Sequence, residues 1–126
     1  MGQGYLIDSN VIIDLFKKEL PDNAKYLLFE QTPVISIITR IEIFCSSNIG
    51  DLERSNLDGF IKKATIFGLN DDIVHKTILL RITYKMKLPD AIIAATALHY
   101  NLTVITRNIS DFSKVDALAI INPYTI

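Results

Sequence analysis

The sequence predicts an α/β fold with a mostly parallel central sheet of about five strands and helices on both faces of the sheet. Short apolar runs alternate with helical segments along the whole chain. Those runs show no polar alternation, which is typical of strands that are buried on both faces. The length of 126 residues, 49% of them apolar and 21% charged, suits one globular domain over residues 1–126.

The first half of the chain predicts two strands, over residues 4–8 and 33–36, with helices between and after them. We expect Asn10 to cap a helix that runs to about residue 18, and Pro21 to precede one over residues 23–30. A further helix follows the second strand over residues 39–46. Gly50 opens another helix, over residues 51–63, with Leu52 facing inward.

The second half predicts strands over residues 65–67, 102–106 and about 118–121. Asn70 or Asp71 caps a helix whose apolar positions follow three- and four-residue spacing. Pro89 suits the first turn of the next helix, and Ala91 to Leu98 continue it with four alanines that permit close packing on a sheet. A short helical turn is expected near residues 110–113.

Composition excludes some classes of protein. A net charge of −1 and a pI near 6.1 are not those of a protein that coats nucleic acid. No apolar stretch approaches the roughly 20 residues of a membrane span, and the first residues do not resemble a signal peptide. The lone Cys45 permits no internal disulfide, so we expect a cytoplasmic protein and a buried thiol at this position.

Four acidic residues fall where predicted strands hand over to helices: Asp8, Glu42, Asp90 and Asp111. In open α/β sheets, ligands bind beyond the carboxyl ends of the strands, so all four can meet at one edge. Carboxylate oxygens are the ligands that Mg²⁺ and Mn²⁺ prefer. Metal-activated water attacking a phosphodiester is therefore the leading hypothesis, with one or two ions in the site.

Each acid also has an ordinary interpretation. Asp8 is able to cap a helix, residues 39–42 form a capping-box pattern around Glu42, and Asp90 complements a helix dipole. Residues 108–111, which end in Asp111, also resemble a local cap. Together, however, four acids at one edge repel one another without a cation, at no structural gain. We therefore favour a metal site.

Four motifs along almost the whole chain, in order, resemble those of PIN domains. They are DSN at residues 8–10, SIITRIE at 36–42, LPDAIIAATAL at 88–98, and VITRN at 104–108 followed by DF at 111–112. The chain is most similar to the VapC-type toxins of prokaryotic toxin–antitoxin pairs.

This resemblance implies a PIN-like fold, a Mg²⁺- or Mn²⁺-dependent endoribonuclease, a homodimer and a cognate antitoxin whose tail enters the active-site groove. Asp8, Glu42 and Asp90 match the three central acids. Many relatives carry the fourth acid at the position of Asn108, and others at that of Asp111. An asparagine there is still able to coordinate through its amide oxygen.

Neighbouring polar residues form a second group of candidates, each with a structural alternative. Ser9 and Thr106 either hold a water or phosphate oxygen or bond a strand end, and Asn10 is either a helix cap or a support for the acids. Arg40 and Arg107 either bind RNA phosphate or pair with acids. We expect Lys85 and Lys87 to be solvated surface lysines, and the histidines to lie away from the acids.

Three other functional classes share some of these features. A receiver-type signalling domain shares an acid after the first strand, but here Gly68 and Leu69 follow the third strand where a phosphorylated acid is needed. A catalytically silent PIN-like module that binds RNA or protein is the alternative function. An aspartyl phosphatase is disfavoured because position 10 is asparagine rather than a second aspartate.

Overall fold

Five strands form one sheet in this computed structural model, which describes residues 4–46 and 49–126. The strands are β1 (Tyr5–Ile7), β2 (Val34–Ser36), β3 (Thr65–Phe67), β4 (Thr103–Ile105) and β5 (Ile120–Ile121). Their order is β3-β2-β1-β4-β5, and every pairing is parallel. The predicted α/β class is therefore confirmed, and all five carboxyl ends meet at one edge.

Helices connect the strands and cover both faces of the sheet. They are α1 (Ser9–Phe16), α2 (Asp22–Phe29), α3 (Ile37–Phe44), α4 (Asp51–Lys63), α5 (Asp71–Tyr84), α6 (Leu88–Tyr100) and α7 (Ile109–Phe112). Within the described part of the chain, none of these helices combines the length and apolar character needed to cross a bilayer. The expectation that the first residues form no signal peptide falls mainly on residues 1–3, which lie outside the described residues.

Strand alternation divides the core into two clusters. Leu6 and Val104 point to the face covered by α5 and α6, whereas Ile7 and Ile105 point to the face covered by α1, α2 and α4. All four side chains are essentially inaccessible to solvent. Burial on both faces explains why the strands read as continuous apolar runs.

Helix α6 packs directly against the sheet because its side chains are small. Every residue from Ala91 to Ala97 is buried. Pro89 lies in the first turn as predicted, and Asn101 ends the helix with a φ of 56°, a left-handed conformation that asparagine tolerates. This placement fixes the first turn of α6, and with it Asp90, at the carboxyl edge of the sheet.

Two predicted helix starts were wrong. Helix α1 is capped by Asp8, whose side chain accepts a hydrogen bond from the Ser9 amide, rather than by Asn10. Helix α3 begins at Ile37 and is capped by Ser36 instead of Thr39. The caps are the last residue of β2 and the residue directly after β1, so in both cases the chain turns from strand to helix without a loop. Glu42 consequently lies in the second turn of α3 and forms no capping box.

Two burial predictions were also wrong. Cys45 is exposed because it follows the last turn of α3, beyond the packed part of that helix. Leu52 is 75% exposed, since α4 turns Leu57 and Phe60 toward the core instead. By contrast, Ile12 and Leu28 are buried in the core.

Close packing of α6 leads to a stability prediction. Ala94 has no accessible surface, so Ala94→Leu forces extra methyl groups into a filled core, and we expect a loss of about 1–3 kcal/mol in the free energy of unfolding. Urea denaturation followed by circular dichroism measures it. Ala117→Leu, at an exposed position, is the matched control and should change stability by less than about 0.5 kcal/mol. Equal effects in both variants would contradict this packing.

Candidate active site

Four carboxylates gather at the carboxyl edge of the sheet. Asp8 follows β1, Glu42 lies on α3, Asp90 lies in the first turn of α6, and Asp111 lies on α7. The charges of the other three all raise the pKa of Asp90, so the four side chains share one electrostatic environment. Residues far apart in sequence therefore come together where the strand-end pattern predicted them.

Asp8 is the most tightly held of the acids. This residue is 3% exposed. One oxygen accepts from the Ser9 amide at 2.8 Å, and the other accepts from Thr106 Oγ1 at 2.7 Å and Asn10 Nδ2 at 3.2 Å. Burial nevertheless raises the pKa of Asp8 above its ordinary value, although these hydrogen bonds lower it. Neutral donors thus orient the carboxylate without neutralising its charge.

Ser9 links Asp8 to Glu42. Its hydroxyl donates to Glu42 Oε1 at 2.9 Å and lies 3.4 Å from Asp8 Oδ1. Burial raises the pKa of Glu42, the Ser9 hydrogen bond opposes this, and the negative charge of Asp8 adds to the increase. The serine hydroxyl fixes the position of Glu42 relative to Asp8.

Asn108 links Asp90 and Asp111, as Ser9 links Asp8 and Glu42. Its amide nitrogen donates to Asp111 Oδ2 at 2.8 Å and lies 3.5 Å from Asp90 Oδ2. Its backbone amide donates a hydrogen bond to Thr106 Oγ1 at 2.9 Å. In this arrangement the side chain supports two acids through its nitrogen, whereas the sequence had suggested coordination through its oxygen.

Asp90 has a strongly raised pKa. Burial is the first cause, followed by the charges of Asp8, Asp111 and Glu42, and together they raise the pKa of Asp90 to about 6 from an ordinary 3.8. The positive charge of Lys87 opposes the increase. The site therefore holds more negative charge than nearby cations compensate.

The donor set fits a hard divalent cation. All four acids offer carboxylate oxygens, the ligands preferred by Mg²⁺ and Mn²⁺, and a cation removes the repulsion among them. Across residues 4–46 and 49–126, however, no group of three or more His, Cys, Asp or Glu side chains is arranged so that it could hold an ion. Binding would therefore draw these carboxylates together, and their role as ligands stays a prediction.

The basic neighbours fall into two groups. Arg107 Nη1 pairs with Asp14 at 2.9 Å, and its backbone amide donates to Asn10 at 3.2 Å. It therefore pairs with an acid, but not with any of the four. Arg40 is exposed on α3, and Lys85 and Lys87 are exposed between α5 and α6. Of these two lysines, Lys87 is close enough to lower the pKa of Asp90.

The cluster around Asp14 was missed at the level of sequence. Asp14, on α1, is 5% exposed, and its carboxylate accepts hydrogen bonds from Arg107 and from the hydroxyl of Tyr124. Burial raises its pKa, and the charge of Arg107 opposes that change. A charged residue within the apolar run at residues 11–16 was the available signal, because a buried charge needs a partner.

His99 lies on α6 beside Asn70, with 3.5 Å between its Nε2 and the asparagine amide nitrogen, and His75 is exposed on α5. Neither histidine is among the residues that perturb or contact the four acids.

Asp111 has one further partner, Lys114, whose ammonium lies 3.7 Å from its carboxylate on the protein surface.

Comparison with known proteins identifies the family. The family model for the PIN domain matches residues 5–118. The chain therefore belongs to the PIN domain family, and the resemblance of its four motifs is confirmed. A search of curated proteins found no match.

Solved structures show the same fold. A chain of a toxin–antitoxin complex from Klebsiella pneumoniae is 34% identical, with 98% of this chain and 100% of that chain covered and a TM-score of 0.80. A chain of the VapBC-1 structure from nontypeable Haemophilus influenzae is 24% identical, with 94% and 97% covered and a TM-score of 0.78. A chain of DNA-bound VapBC from Salmonella typhimurium is 21% identical, with 96% and 98% covered and a TM-score of 0.83.

Thr106 gives the first prediction for this site. Thr106→Val removes the hydroxyl that orients Asp8 and bonds the Asn108 amide, so we expect Mn²⁺ affinity to fall about tenfold. Isothermal titration calorimetry of the purified protein measures this affinity. Thr106→Ser keeps the hydroxyl and should restore most of it. Unchanged affinity in the valine variant would show that Asp8 does not depend on this bond.

The raised pKa of Asp90 predicts how the stability of the fold depends on pH. Because its folded pKa of about 6 lies above the ordinary 3.8, the folded protein binds more protons than the unfolded chain between these values. In metal-free buffer, the contribution of Asp90 to the free energy of unfolding should be largest below about pH 4. This contribution should be lost as the pH rises through about 6. Asp90→Asn should flatten that decline. Thermal unfolding at a series of pH values with EDTA tests it, and an unchanged slope in the variant would contradict the assignment.

Proposed function

We propose that this chain is a divalent-metal-dependent endoribonuclease and the toxin of a toxin–antitoxin pair. The observation that carries this proposal is the cluster of four acids, in which Asp90 reaches a pKa of about 6. Membership of the PIN domain family and 34% identity to a chain of a toxin–antitoxin complex support the same conclusion.

The four acids would have different tasks. Asp8, Asp90 and Asp111 would hold one or two Mg²⁺ or Mn²⁺ ions. When bound, such an ion supplies Lewis-acid stabilisation of charge on phosphate oxygens and makes a water molecule more acidic. Glu42, oriented by Ser9 at 2.9 Å, would position the attacking water or hold the second ion.

The raised pKa of Glu42 suits it to accept a proton from that water. Attack in line on phosphorus would break the bond to the leaving 3′ oxygen. The products would therefore carry a 5′-phosphate and a 3′-hydroxyl. Asn10, Thr106 and Asn108 would act through the acids that they hydrogen-bond, by keeping the carboxylates in place.

RNA would be bound through local cations, since the net charge of the chain is −1. Exposed Arg40, Lys85 and Lys87 would contact RNA phosphates. The Arg107 side chain is 57% exposed but shares its charge with Asp14, so it would contribute less to phosphate binding than to fixing the turn after β4.

Two protein partners complete the proposal. Similarity to a chain of a toxin–antitoxin complex supports an antitoxin that enters the groove of the acids and blocks RNA. The family resemblance also supports a homodimer.

Cleavage of structured cellular RNA tests the nuclease directly. In Mg²⁺ or Mn²⁺ we expect discrete cuts with 5′-phosphate ends, which EDTA abolishes. Asp90→Asn should reduce cleavage at least about 100-fold while the fold is retained. Asp51→Asn, which neutralises an exposed acid in the first turn of α4, is the matched control and should keep wild-type activity.

Other outcomes are equally informative. Cuts that persist in the Asp90→Asn variant would overturn the assignment of the site. Metal binding by calorimetry without cleavage of any RNA would favour the silent binding module. If cuts are seen, an equimolar amount of the protein encoded beside this gene should suppress them, which tests the antitoxin.

A further inference from the structure

The turn after β4 holds two of the acids. Thr106 donates a hydrogen bond to Asp8 at 2.7 Å, and the side chain of Asn108 donates one to Asp111 at 2.8 Å. Arg107 lies between these two residues in the chain. The position of the turn therefore decides where both carboxylates lie, and the contacts of Arg107 decide the position of the turn.

Arg107 is attached to helix α1 at two points. Its backbone amide donates to Asn10 Oδ1 at 3.2 Å, and its Nη1 donates to Asp14 Oδ2 at 2.9 Å. Asn10 and Asp14 are four residues apart on α1, so they lie on the same face of the helix. One residue of the turn is thus held both at its backbone and at the end of its side chain.

Asn10 connects this attachment to the acids. Its side-chain amide accepts from Arg107 through Oδ1 and donates through Nδ2 to Asp8 Oδ2 at 3.2 Å. Because both ends of the amide are bonded, the group is held in one orientation. A movement of Arg107 would therefore reach Asp8 by two routes, through Asn10 and through Thr106, the residue before Arg107.

Asp14 lies almost entirely out of solvent, on the buried side of α1. Its carboxylate also accepts a hydrogen bond from the hydroxyl of Tyr124, in the segment that follows β5. A buried ion pair is weak evidence for stability, because an apolar side chain of similar volume often serves stability as well or better. The charge of Asp14 is therefore explained by the orientation that it gives to Arg107.

We propose that Asp14 is a positioning residue for the acid site. It holds Arg107 against α1 and so fixes the turn that orients Asp8 and Asp111. Tyr124 holds Asp14 in turn, which couples the segment after β5 to the acids. This inference rests on the proposed function, since its effect is on the carboxylates that would bind the divalent ion.

A direct contact between Arg107 and RNA phosphate predicts different behaviour. Such a contact acts only when RNA is present, so its loss would raise KM for RNA and leave Mn²⁺ binding by the free protein undiminished. Positioning by Asp14 and Arg107 acts on the free protein as well. Its loss would weaken Mn²⁺ binding without RNA and lower kcat for cleavage, with KM almost unchanged.

Calorimetric titration of the purified full chain with Mn²⁺, without RNA, tests the role of Arg107. Arg107→Gln should weaken Mn²⁺ binding about fivefold, because the turn is no longer held against α1. Loss of a positive charge near the acids would by itself strengthen the binding of a cation, so the two explanations predict changes of opposite sign. Arg107→Lys keeps a charged donor for Asp14 and should recover most of the affinity.

The same titration tests Asp14 and Tyr124. Asp14→Asn should weaken Mn²⁺ binding about fivefold, and Tyr124→Phe, which changes no charge, about threefold. Glu19→Gln is the matched control for the lost negative charge. Glu19 is exposed, and its backbone amide donates to the Asp14 carbonyl oxygen at 3.0 Å, so this control removes a charge nearby without breaking the contact to Arg107. It should bind Mn²⁺ as the wild type does.

A destabilised variant separates positioning from a general loss of stability. Leu57→Ala opens a cavity in the core under α4 and should lower the melting temperature while Mn²⁺ binding stays at the wild-type level. Circular dichroism must show that each variant is folded. If Arg107→Gln fails that requirement, Tyr124→Phe takes its place, since it leaves the ion pair of Asp14 intact.

Three results would overturn the positioning role. They are wild-type Mn²⁺ affinity in the Asp14→Asn and Arg107→Gln variants, stronger binding in Arg107→Gln, and an equal loss of affinity in Leu57→Ala. A wild-type chain that binds Mn²⁺ but cuts no RNA would overturn the proposed nuclease alone, because the titration needs no RNA. A wild-type chain that binds no Mn²⁺ would overturn both proposals.

Discussion

The buried carboxylate of Asp8 determines how the rest of the site is arranged. Asp8 directly follows β1, the middle strand of the sheet, and has almost no contact with solvent. A buried charge is costly unless it is hydrogen-bonded, so its surroundings must supply donors. Thr106, which directly follows the neighbouring β4, gives the shortest of these hydrogen bonds, at 2.7 Å. Parallel pairing of β1 with β4 therefore brings both the charge and its support to one edge.

The donors that support the acids are almost all neutral, and this choice has a chemical consequence. Ser9, Asn108 and Thr106 fix carboxylates in position without cancelling their charge. A lysine or arginine in their place would pair with the acids and compete with any cation. Because these donors are neutral, the negative charge of the acids is not cancelled, and the raised pKa of Asp90 reflects this charge. The arrangement is costly for stability near neutral pH, and it would favour binding of a divalent ion.

The sequence predicted the elements whose signals are local. Pro89 and the alanines after it define α6 without knowledge of the fold, and the acids were found because strands end before them. The Asp14 cluster was not predicted, since Arg107 and Tyr124 lie 93 and 110 residues away along the chain. The capping errors at Asn10 and Thr39 have another cause. Several adjacent polar residues were suitable caps, and the exact length of each strand decided among them.

Helix α5 shows how packing resolves a weak sequence signal. Its inner and outer faces both carry apolar residues, but Ile73, Thr77 and Leu80 follow the three- and four-residue spacing of a buried face. Packing on α6 and the sheet buries these three side chains and leaves Ile78 half exposed. The spacing therefore predicts the buried face, whereas the exposure of the other apolar residues is decided by the helix that packs beside them.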